Sequence, residues 1–329
     1  MSKVLILYSS IILLVIGAVS FFFFQNYKFE SSFSADTIDE VAVINQMPHY
    51  EAQGYQANTA IIPAETEVSA DDFADTSYAS ILVDNTSNTI LEAHNIYRRI
   101  YPASTTKLMT AILVAKAADE GKFTFDDMVT IDHSPNVTDP DAVASDIKVG
   151  DSISVRNLLY GMLIKSYNDY AVILAELVGG DVENFCQMMN EEAYSLGATG
   201  CHFVNPNGLH EDDHYVTAYD MYLIVREAAN YDIIAQADSQ RSYSYTYLDS
   251  DGNELSDDIT PTNMFLSGTY TLPSNIEMTV WKTGTTRLAG NVLTMTADID
   301  GKSYTMFVAD SNSPQDLYQL YGRMFNMTN

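Results

Sequence analysis

The sequence predicts an α+β fold, in which an antiparallel sheet is flanked by helices and accompanied by an all-helical lobe. Strand-like segments rich in β-branched and aromatic residues lie near both ends of residues 76–329, at 78–93 and 276–309. Helical patterns occupy most of the interval between them. Strands from the two ends can share one antiparallel sheet if the middle helices form a second lobe. With 47% hydrophobic residues in 329, the chain can bury a large core.

The chain begins with a short stub, residues 1–3, and an uncharged apolar run, residues 4–24. At about 1.5 Å per residue the run is roughly 30 Å long, which is the hydrocarbon thickness of a bilayer. This length favours a transmembrane anchor over a cleaved signal, whose apolar part is usually about 7–15 residues. A signal ending near residue 20 stays open. An anchor would leave residues 1–3 in the cytoplasm and place the rest outside the membrane.

Residues 25–75 contain ten acidic side chains and one basic side chain. Their apolar positions do not recur with a period, so we expect an acidic flexible linker before a folded domain at 76–329. The whole chain has 16 basic and 44 acidic residues, a net charge of −28. That balance argues against nucleic acid as a partner, because phosphate binding needs clustered lysine and arginine.

Within residues 76–329 the patterns predict each element in turn. Strands at 78–83 and 89–93 surround a turn-forming segment, which indicates a hairpin. Helices are expected at 104–119, at 156–179 with a polar interruption at 166–169, at 183–196 and at 217–230. Further strands are expected at 242–248, 276–282, 291–297 and 303–309, the last two joined by a tight turn. A final helix begins near Pro314.

Ser104 and Lys107 form an S-x-x-K motif at the start of a predicted helix, with both side chains on one face. A serine hydroxyl needs a base to become a nucleophile, and a lysine of lowered pKa can be that base. The motif alone is weak, because a capping serine beside a solvated lysine would look the same. The segment 145–148 repeats the spacing, and we interpret it as a loop.

Two further motifs follow. Ser166 and Asn168 form S-x-N in the polar interruption of an apolar helical stretch. Such a break needs hydrogen-bond partners, and an active site would supply them. Lys282, Thr283 and Gly284 form K-T-G at the predicted end of a strand, where the lysine and threonine can hold a carboxylate. The combination S-x-x-K, S-x-N and K-T-G in this order is typical of penicillin-recognising serine enzymes.

From about residue 78 to 326 the chain resembles the D-alanyl-D-alanine carboxypeptidases of serine peptidase family S11, the low-molecular-mass penicillin-binding proteins. The stretches that carry the resemblance are 101–110, 163–169, 203–209, 217–221, 282–284 and 289–290. The resemblance implies a β-lactamase/penicillin-binding transpeptidase-like fold, no cofactor and no metal. It further implies a bacterial enzyme whose domain 76–329 acts outside the cytoplasmic membrane, or is secreted if residues 1–20 are cleaved.

The resemblance also implies residue roles. Ser104 would attack the bond between the two terminal D-alanines of a peptidoglycan stem peptide, with Lys107 as base. Ser166 would return a proton to the leaving amine, and Asn168 would orient substrate and Lys107. Lys282 and Thr283 would bind the terminal carboxylate beside Gly284, and the backbone N–H groups of Ser104 and Thr285 would form an oxyanion hole. β-Lactam antibiotics would acylate the same serine.

Two other functions are weighed against this one. A β-lactamase would need fast deacylation, which in class A enzymes uses a glutamate in a separate loop, and no E-x-x-L-N segment follows Ser166. A non-catalytic binder of wall peptides or penicillins would need no nucleophile.

The motif H-E-x-x-H at 210–214 would suit zinc only on a helix, and turn-forming residues before it predict a polar surface loop. Cys186 and Cys201 leave a disulfide and a buried thiol equally open.

Overall fold

The structure, a computed structural model, describes residues 78–137, 139 and 142–328. The predicted stub (1–3), apolar run (4–24) and linker (25–75) lie outside these residues. Within the described part, no helix combines the length and the apolar character that crossing a membrane requires.

The predicted strands and helices are present in the predicted order, and four short elements that were not predicted lie among them. The strands are β1 (Ala79–Asp84), β2 (Thr89–His94), β3 (Met128–Thr130), β4 (Ser152–Ser154), β5 (Tyr243–Leu248), β6 (Glu254–Ile259), β7 (Ile276–Thr286), β8 (Gly290–Ile299) and β9 (Lys302–Ser311). The α-helices are α1 (Lys107–Asp119), α2 (Val155–Tyr160), α3 (Asn168–Gly179), α4 (Val182–Ser195), α5 (Ala218–Ala228), α6 (Asp232–Asp238) and α7 (Pro314–Asn326). The four elements that were not predicted are β3, β4, β6 and α6. The α+β prediction is confirmed.

A five-stranded antiparallel sheet unites strands from both ends of this part of the chain, in the order β2-β1-β9-β8-β7. The predicted first hairpin is present, with Asp84 paired to Thr89. The tight turn between β8 and β9 has Asp300 and Gly301 at φ of 50° and 80°, the left-handed pair that a two-residue hairpin turn requires. Because β7 is an edge strand, one side of its backbone is free to face another element.

Both faces of this sheet are covered, because its strands alternate between two apolar clusters. Ile81 and Phe307 face a large cluster that includes the middle helices. Leu82 and Met306 face a smaller cluster completed by α7. Side chains of successive strand residues point to opposite faces, so a strand covered on both sides is mostly apolar. All six residues of β1 are buried, and four of them are apolar.

The middle of the chain is mainly helical, as predicted, and its long helical stretch is interrupted where expected. α2 continues into a π-helical turn, Gly161–Lys165, and α3 starts afresh at Asn168. Thr217 caps α5 in a reciprocal capping box with Asp220, which satisfies two free N–H groups of the helix start. Ser313 caps α7, whose first residue is Pro314.

A second sheet, in the order β3-β4-β5-β6, was missed by the sequence analysis except for β5. β3 and β4 have three residues each, too few to show a period of two. β6 is mostly exposed and acidic, so it lacks the apolar alternation of a half-buried strand.

The two cysteines form no disulfide. Cys186 is a buried free thiol in α4, and Cys201 is half-buried and donates to Ala198 O at 3.2 Å. Burial raises the pKa of both thiols, to about 11 and about 12 respectively. Of the two possibilities left open by the sequence, the structure has the buried thiol.

Candidate active site

Ser104 lies in a tight turn that leads into α1. The turn is 3₁₀-helical over Ala103–Thr106, so the predicted helix start at Ser104 is a 3₁₀ turn followed by an α-helix from Lys107. Ala103 takes a φ of 48°, and Thr105 Oγ1 donates to Pro102 O at 2.7 Å. Thr105 and Thr106 are buried while Ser104 keeps partial exposure. The turn therefore presents the Ser104 hydroxyl at the protein surface, while the neighbouring residues of the turn are held by packing.

Strand β7 runs directly against this turn because Gly284 has no side chain. A Cβ at Gly284 would lie 2.8 Å from Ser104 N and 2.9 Å from Ala103 Cβ, closer than real contacts allow. The sequence predicted that the K-T-G motif ends the strand, and this prediction is wrong. The motif lies within β7, which continues to Thr286 and pairs Gly284 with Val292. The edge position of β7 explains how mid-strand residues can reach the turn.

Lys107 is completely buried beneath Ser104 and makes three polar contacts. Its Nζ lies 3.0 Å from Ser104 Oγ, 2.8 Å from Asn168 Oδ1 and 2.7 Å from the backbone oxygen of Asn207. The last two partners are carbonyl oxygens and can only accept. A neutral amine has two N–H groups and one lone pair. If Asn168 and Asn207 take the two N–H groups, the lone pair faces the Ser104 hydroxyl.

The surroundings of Lys107 favour the neutral amine. Burial is the largest cause that lowers its pKa well below the ordinary lysine value, and the charge of Lys282 lowers the pKa further. The carboxylate of Asp169 opposes the shift. Removing the ammonium from water costs more free energy than the attraction of the Asp169 carboxylate returns, so the pKa of Lys107 is lowered.

Asn168 and Ser166 are brought to the same place by the interruption between α2 and α3. Ser166 takes a left-handed conformation at φ 68°, and Asn168 opens α3. The Asn168 Nδ2 and backbone N–H both donate to Val143 O at 2.9 Å, which orients Oδ1 toward Lys107. Ser166 lines a pocket with Ser104, and its hydroxyl makes no hydrogen bond to another described residue.

The segment that carries Val143 is tied to α3 a second time. Asp169 Oδ2 accepts from the backbone N–H of Ser145 at 3.0 Å and from its hydroxyl at 2.5 Å. Ser145 belongs to the second S-x-x-K spacing, and it lies in a loop, as predicted. Its role is to position Val143 and therefore Asn168.

Lys282 is fully buried, and its Nζ donates to Thr283 O at 3.0 Å. Burial lowers the pKa of Lys282 to about 8, against an opposing charge on Asp238. Burial likewise raises the pKa of Asp238 to about 8. Asp238 is held in place because it accepts from the backbone N–H of Trp281 at 2.8 Å and from the Trp281 indole at 2.7 Å.

Thr283 presents its hydroxyl beside that of Thr262, with the two oxygens 2.5 Å apart. One hydroxyl donates to the other, so the accepting hydroxyl keeps a proton for a ligand. Both threonines line a pocket of about 220 Å³ that reaches Ser104. Thr285 lines it as well, and so do the apolar or aromatic side chains of Leu317 and Tyr318 from α7. The lining thus combines a hydroxyl-rich side, formed by the threonines near the nucleophile, with apolar side chains from α7.

The histidine motif at 210–214 is a loop, which agrees with the rejection of a zinc helix. His214, however, is buried and not at the surface as expected. Its Nδ1 accepts from Val204 N–H at 3.2 Å, so Nε2 carries the proton and donates to Thr106 Oγ1 at 2.8 Å. Burial lowers its pKa to about 3, and the neutral ring fixes the loop against the Ser104 turn.

All the predicted site residues therefore meet around one pocket or directly beneath it. The sequence analysis missed Asn207, whose contribution is a backbone oxygen, and it also missed Val143, Thr262 and His214. For Asn207, the only local indication in the sequence was the turn-forming run at 205–208. Within the described residues, no group of three or more metal-ligating side chains occurs.

Comparison with known proteins supplies independent findings. Residues 64–313 match the model of peptidase family S11, described as D-alanyl-D-alanine carboxypeptidase. The D-alanyl-D-alanine carboxypeptidase DacF of Bacillus subtilis is 34% identical over 159 residues, which are 48% of this chain and 40% of that protein. The D-alanyl-D-alanine endopeptidase of Escherichia coli is 30% identical over 250 residues, 71% of each chain. The chain thus spans about 40% of the length of the first curated relatives it matches.

Solved structures with the same fold include a DD-transpeptidase and a penicillin-binding protein. A mutant of the Streptomyces K15 DD-transpeptidase superposes with a TM-score of 0.69 at 26% identity, covering 76% of this chain and 96% of that one. Penicillin-binding protein D2 of Listeria monocytogenes, in a cefotaxime-bound form, gives a TM-score of 0.63 at 25% identity and covers 76% and 95%.

Proposed function

Because the chain belongs to peptidase family S11, we propose that it removes the terminal D-alanine from peptidoglycan stem peptides through an acyl-enzyme on Ser104. The observation that carries this proposal is the arrangement of the buried Lys107 amine. Two carbonyl oxygens occupy its N–H groups, and the third contact, at 3.0 Å, is the Ser104 hydroxyl. A lone pair held on the nucleophile in this way is what general-base activation requires.

In the acylation step Ser104 Oγ attacks the carbonyl carbon between the two D-alanines while its proton passes to Lys107 Nζ. The negative charge that forms on the carbonyl oxygen is stabilised by the backbone N–H groups of Ser104 and Thr285. The peptide C–N bond then breaks, and the proton held on Lys107 passes through Ser166 to the departing D-alanine nitrogen, which leaves Lys107 neutral again. Water hydrolyses the ester, with Lys107 again as base, and releases the shortened peptide and free Ser104.

Substrate binding is assigned to the hydroxyl-rich side of the pocket. Thr283 donates to the terminal carboxylate, and the charge of Lys282 beneath it adds attraction. β-Lactams present a carboxylate and a reactive carbonyl in a similar arrangement. We therefore propose that they acylate Ser104 too, with the ring amide opened and its nitrogen protonated.

The test uses the full chain with a diacetylated Lys-D-Ala-D-Ala peptide and, separately, with fluorescent penicillin. We expect D-alanine release and a stable covalent adduct, both lost in Ser104→Ala. The exposed Ser134→Ala, which changes a serine outside the pocket, is the matched control and should keep both. Rapid turnover of penicillin would instead indicate a β-lactamase. Reversible binding without either reaction would indicate a binder, and both results contradict the proposal.

We also propose that residues 4–24 attach the protein to the bacterial cell membrane, with residues 76–329 outside it and 25–75 as the acidic linker. The support is the length and uncharged character of the run. Fractionation of cells that express the full chain should recover it with membranes, and detergent but not high salt should release it. A chain recovered in the medium with its first twenty residues removed would show a cleaved signal instead.

A further inference from the structure

A second cleft lies beside the active site, beyond the end of β7. It has a volume of about 290 Å³ and is lined by Tyr101, Leu288 and Ala289 among others. Tyr101 precedes the nucleophile by three residues, a separation of at most about 10 Å along the chain. Leu288 and Ala289 directly follow β7, the strand that carries the K-T-G motif. The cleft is therefore within reach of a peptide bound at Ser104.

The direction of a bound peptide follows from the proposed function, on which this inference rests. The carboxyl end of the peptide lies at Thr283, and the attacked carbonyl lies at Thr285. The preceding residues of the peptide must then continue past Thr286, toward Leu288 and Ala289. At about 3.4 Å per extended residue, the third residue of the stem reaches the mouth of the cleft.

The cleft carries both signs of charge. Arg98 is paired with Asp310 at 3.0 Å. Arg99 is exposed and stacks over the Tyr215 ring at 4.2 Å, and it forms no ion pair with any residue the structure describes. Asp212 and Asp213 line the same cleft and are both exposed, and Asp212 Oδ1 lies 3.5 Å from His210 Nε2. One guanidinium without an ion pair thus shares the cleft with two exposed carboxylates, in a protein whose net charge is −28.

A purely acidic ligand would be repelled by the two aspartates, and a purely basic ligand would leave Arg99 without a partner. A group that carries a carboxylate and an ammonium together satisfies both sides. We propose that this cleft binds the zwitterionic end of a diamino dicarboxylic acid at the third position of the stem peptide. Arg99 holds its carboxylate, and Asp212 and Asp213 face its ammonium. Lysine at the same position offers only the ammonium.

The experiment measures binding to the full chain carrying Ser104→Ala, so that no turnover interferes. The probes are three pentapeptides that end in D-Ala-D-Ala and differ only at the third residue. These residues are meso-diaminopimelate, meso-diaminopimelate amidated at its free carboxylate, and L-lysine. We expect the first to bind at least about fivefold more tightly than the other two, as a charge-assisted hydrogen bond would provide.

Variants then test whether Arg99 causes the preference for the meso-diaminopimelate peptide. Arg99→Gln should remove the preference while leaving the affinity for the lysine peptide within about twofold, and Arg99→Lys should retain part of it because the charge remains. Arg241→Gln changes an exposed arginine outside the cleft and should leave all three affinities unchanged. Equal affinities for the three peptides, or a preference that survives Arg99→Gln, would overturn the proposal. Release of D-alanine from the lysine peptide by the unmodified enzyme reports on the proposed function separately.

Discussion

The pKa of Lys107 is lowered chiefly by burial among residues that are distant in the chain, and the positive charge of Lys282 lowers it further. Asn168 and Asn207 supply the carbonyl oxygens that accept from the Lys107 amine. A lysine at the same sequence position but exposed to water would be protonated at neutral pH and could not act as a base. At the scale of single residues, the proposed chemistry therefore depends on burial.

Replacing Lys107 by arginine tests this dependence. Arginine is always protonated, so it has no lone pair for the Ser104 proton, and we expect acylation by fluorescent penicillin to slow by about 10²–10⁴-fold. Lys116→Arg is the matched control, since Lys116 pairs with Glu192 on a different part of the surface. An acylation rate in Lys107→Arg within about tenfold of the original would show that another group is the base.

The pKa of Lys282 predicts an alkaline limb in the pH profile. A lysine is cationic below its pKa, and burial lowers that of Lys282 to about 8. As the pH rises through about 8 the cation is lost, the peptide carboxylate binds less tightly, and KM should rise. Steady-state kinetics between pH 6 and pH 10 should show this rise in KM while kcat stays roughly constant.

Two variants separate Lys282 from other titrating groups. Lys282→Arg should abolish the alkaline limb, because arginine stays charged throughout this range. Asp238→Asn should move the limb to lower pH, because Asp238 raises the pKa of Lys282 and the amide has no charge. A limb that neither variant moves would assign the titration to a different group.

At the scale of elements, the site is assembled where regular structure is interrupted. The 3₁₀ turn before α1, the left-handed Ser166 and the edge of β7 each bring one motif to the pocket. Gly208 belongs to the same assembly. Its φ is +85°, and a Cβ there would lie 1.8 Å from Ala103 O. The loop that supplies Asn207 O can therefore contact the Ser104 turn only with glycine at this position.

Gly208→Ala should destabilise the protein and weaken acylation together. The overlap with Ala103 forces the backbone apart, at a cost of about 1–3 kcal/mol beyond the left-handed strain. Gly252→Ala is the matched control, since Gly252 has φ +83° and nothing within 4 Å of the added Cβ. It should show only the strain, about 1–2 kcal/mol. Thermal unfolding of both variants gives the comparison, and equal losses would contradict this account.

At the scale of the whole molecule, the sheet is enclosed by two apolar layers, and the pocket opens where its edge strand meets the middle helices. The polar groups of the site are consequently packed from several sides without any covalent crosslink among the described residues. Packing of this kind, and not a disulfide, maintains the arrangement of Ser104, Lys107 and Lys282.

The free cysteines make this testable. A disulfide between Cys186 and Cys201 would contribute about 3 kcal/mol, and reducing it would lower Tm by several degrees. We expect a reducing agent to leave Tm unchanged and thiol titration of the unfolded protein to find both cysteines free. If the reducing agent lowers Tm, and if fewer than two thiols are titrated before reduction, the two cysteines form a disulfide in the purified protein.

Local pattern was sufficient for most of the elements and for the order of the three motifs. Periodicity located the helices and the strands of the main sheet, and polar residues in an apolar stretch located the break at Ser166. It failed for three-residue strands and for the acidic strand β6, where no apolar alternation exists.

Only the tertiary structure decided which groups act on the lysine and what its pKa becomes. The contacts of Lys107 with Asn168 and Asn207 join residues 61 and 100 positions apart, and one of them uses a backbone oxygen that any residue could provide. The burial of His214, expected at the surface, and the meeting of Thr262 with Thr283 are non-local in the same way. A sequence pattern records the preferences of neighbouring residues, whereas desolvation and long-range contacts arise only when distant segments pack together.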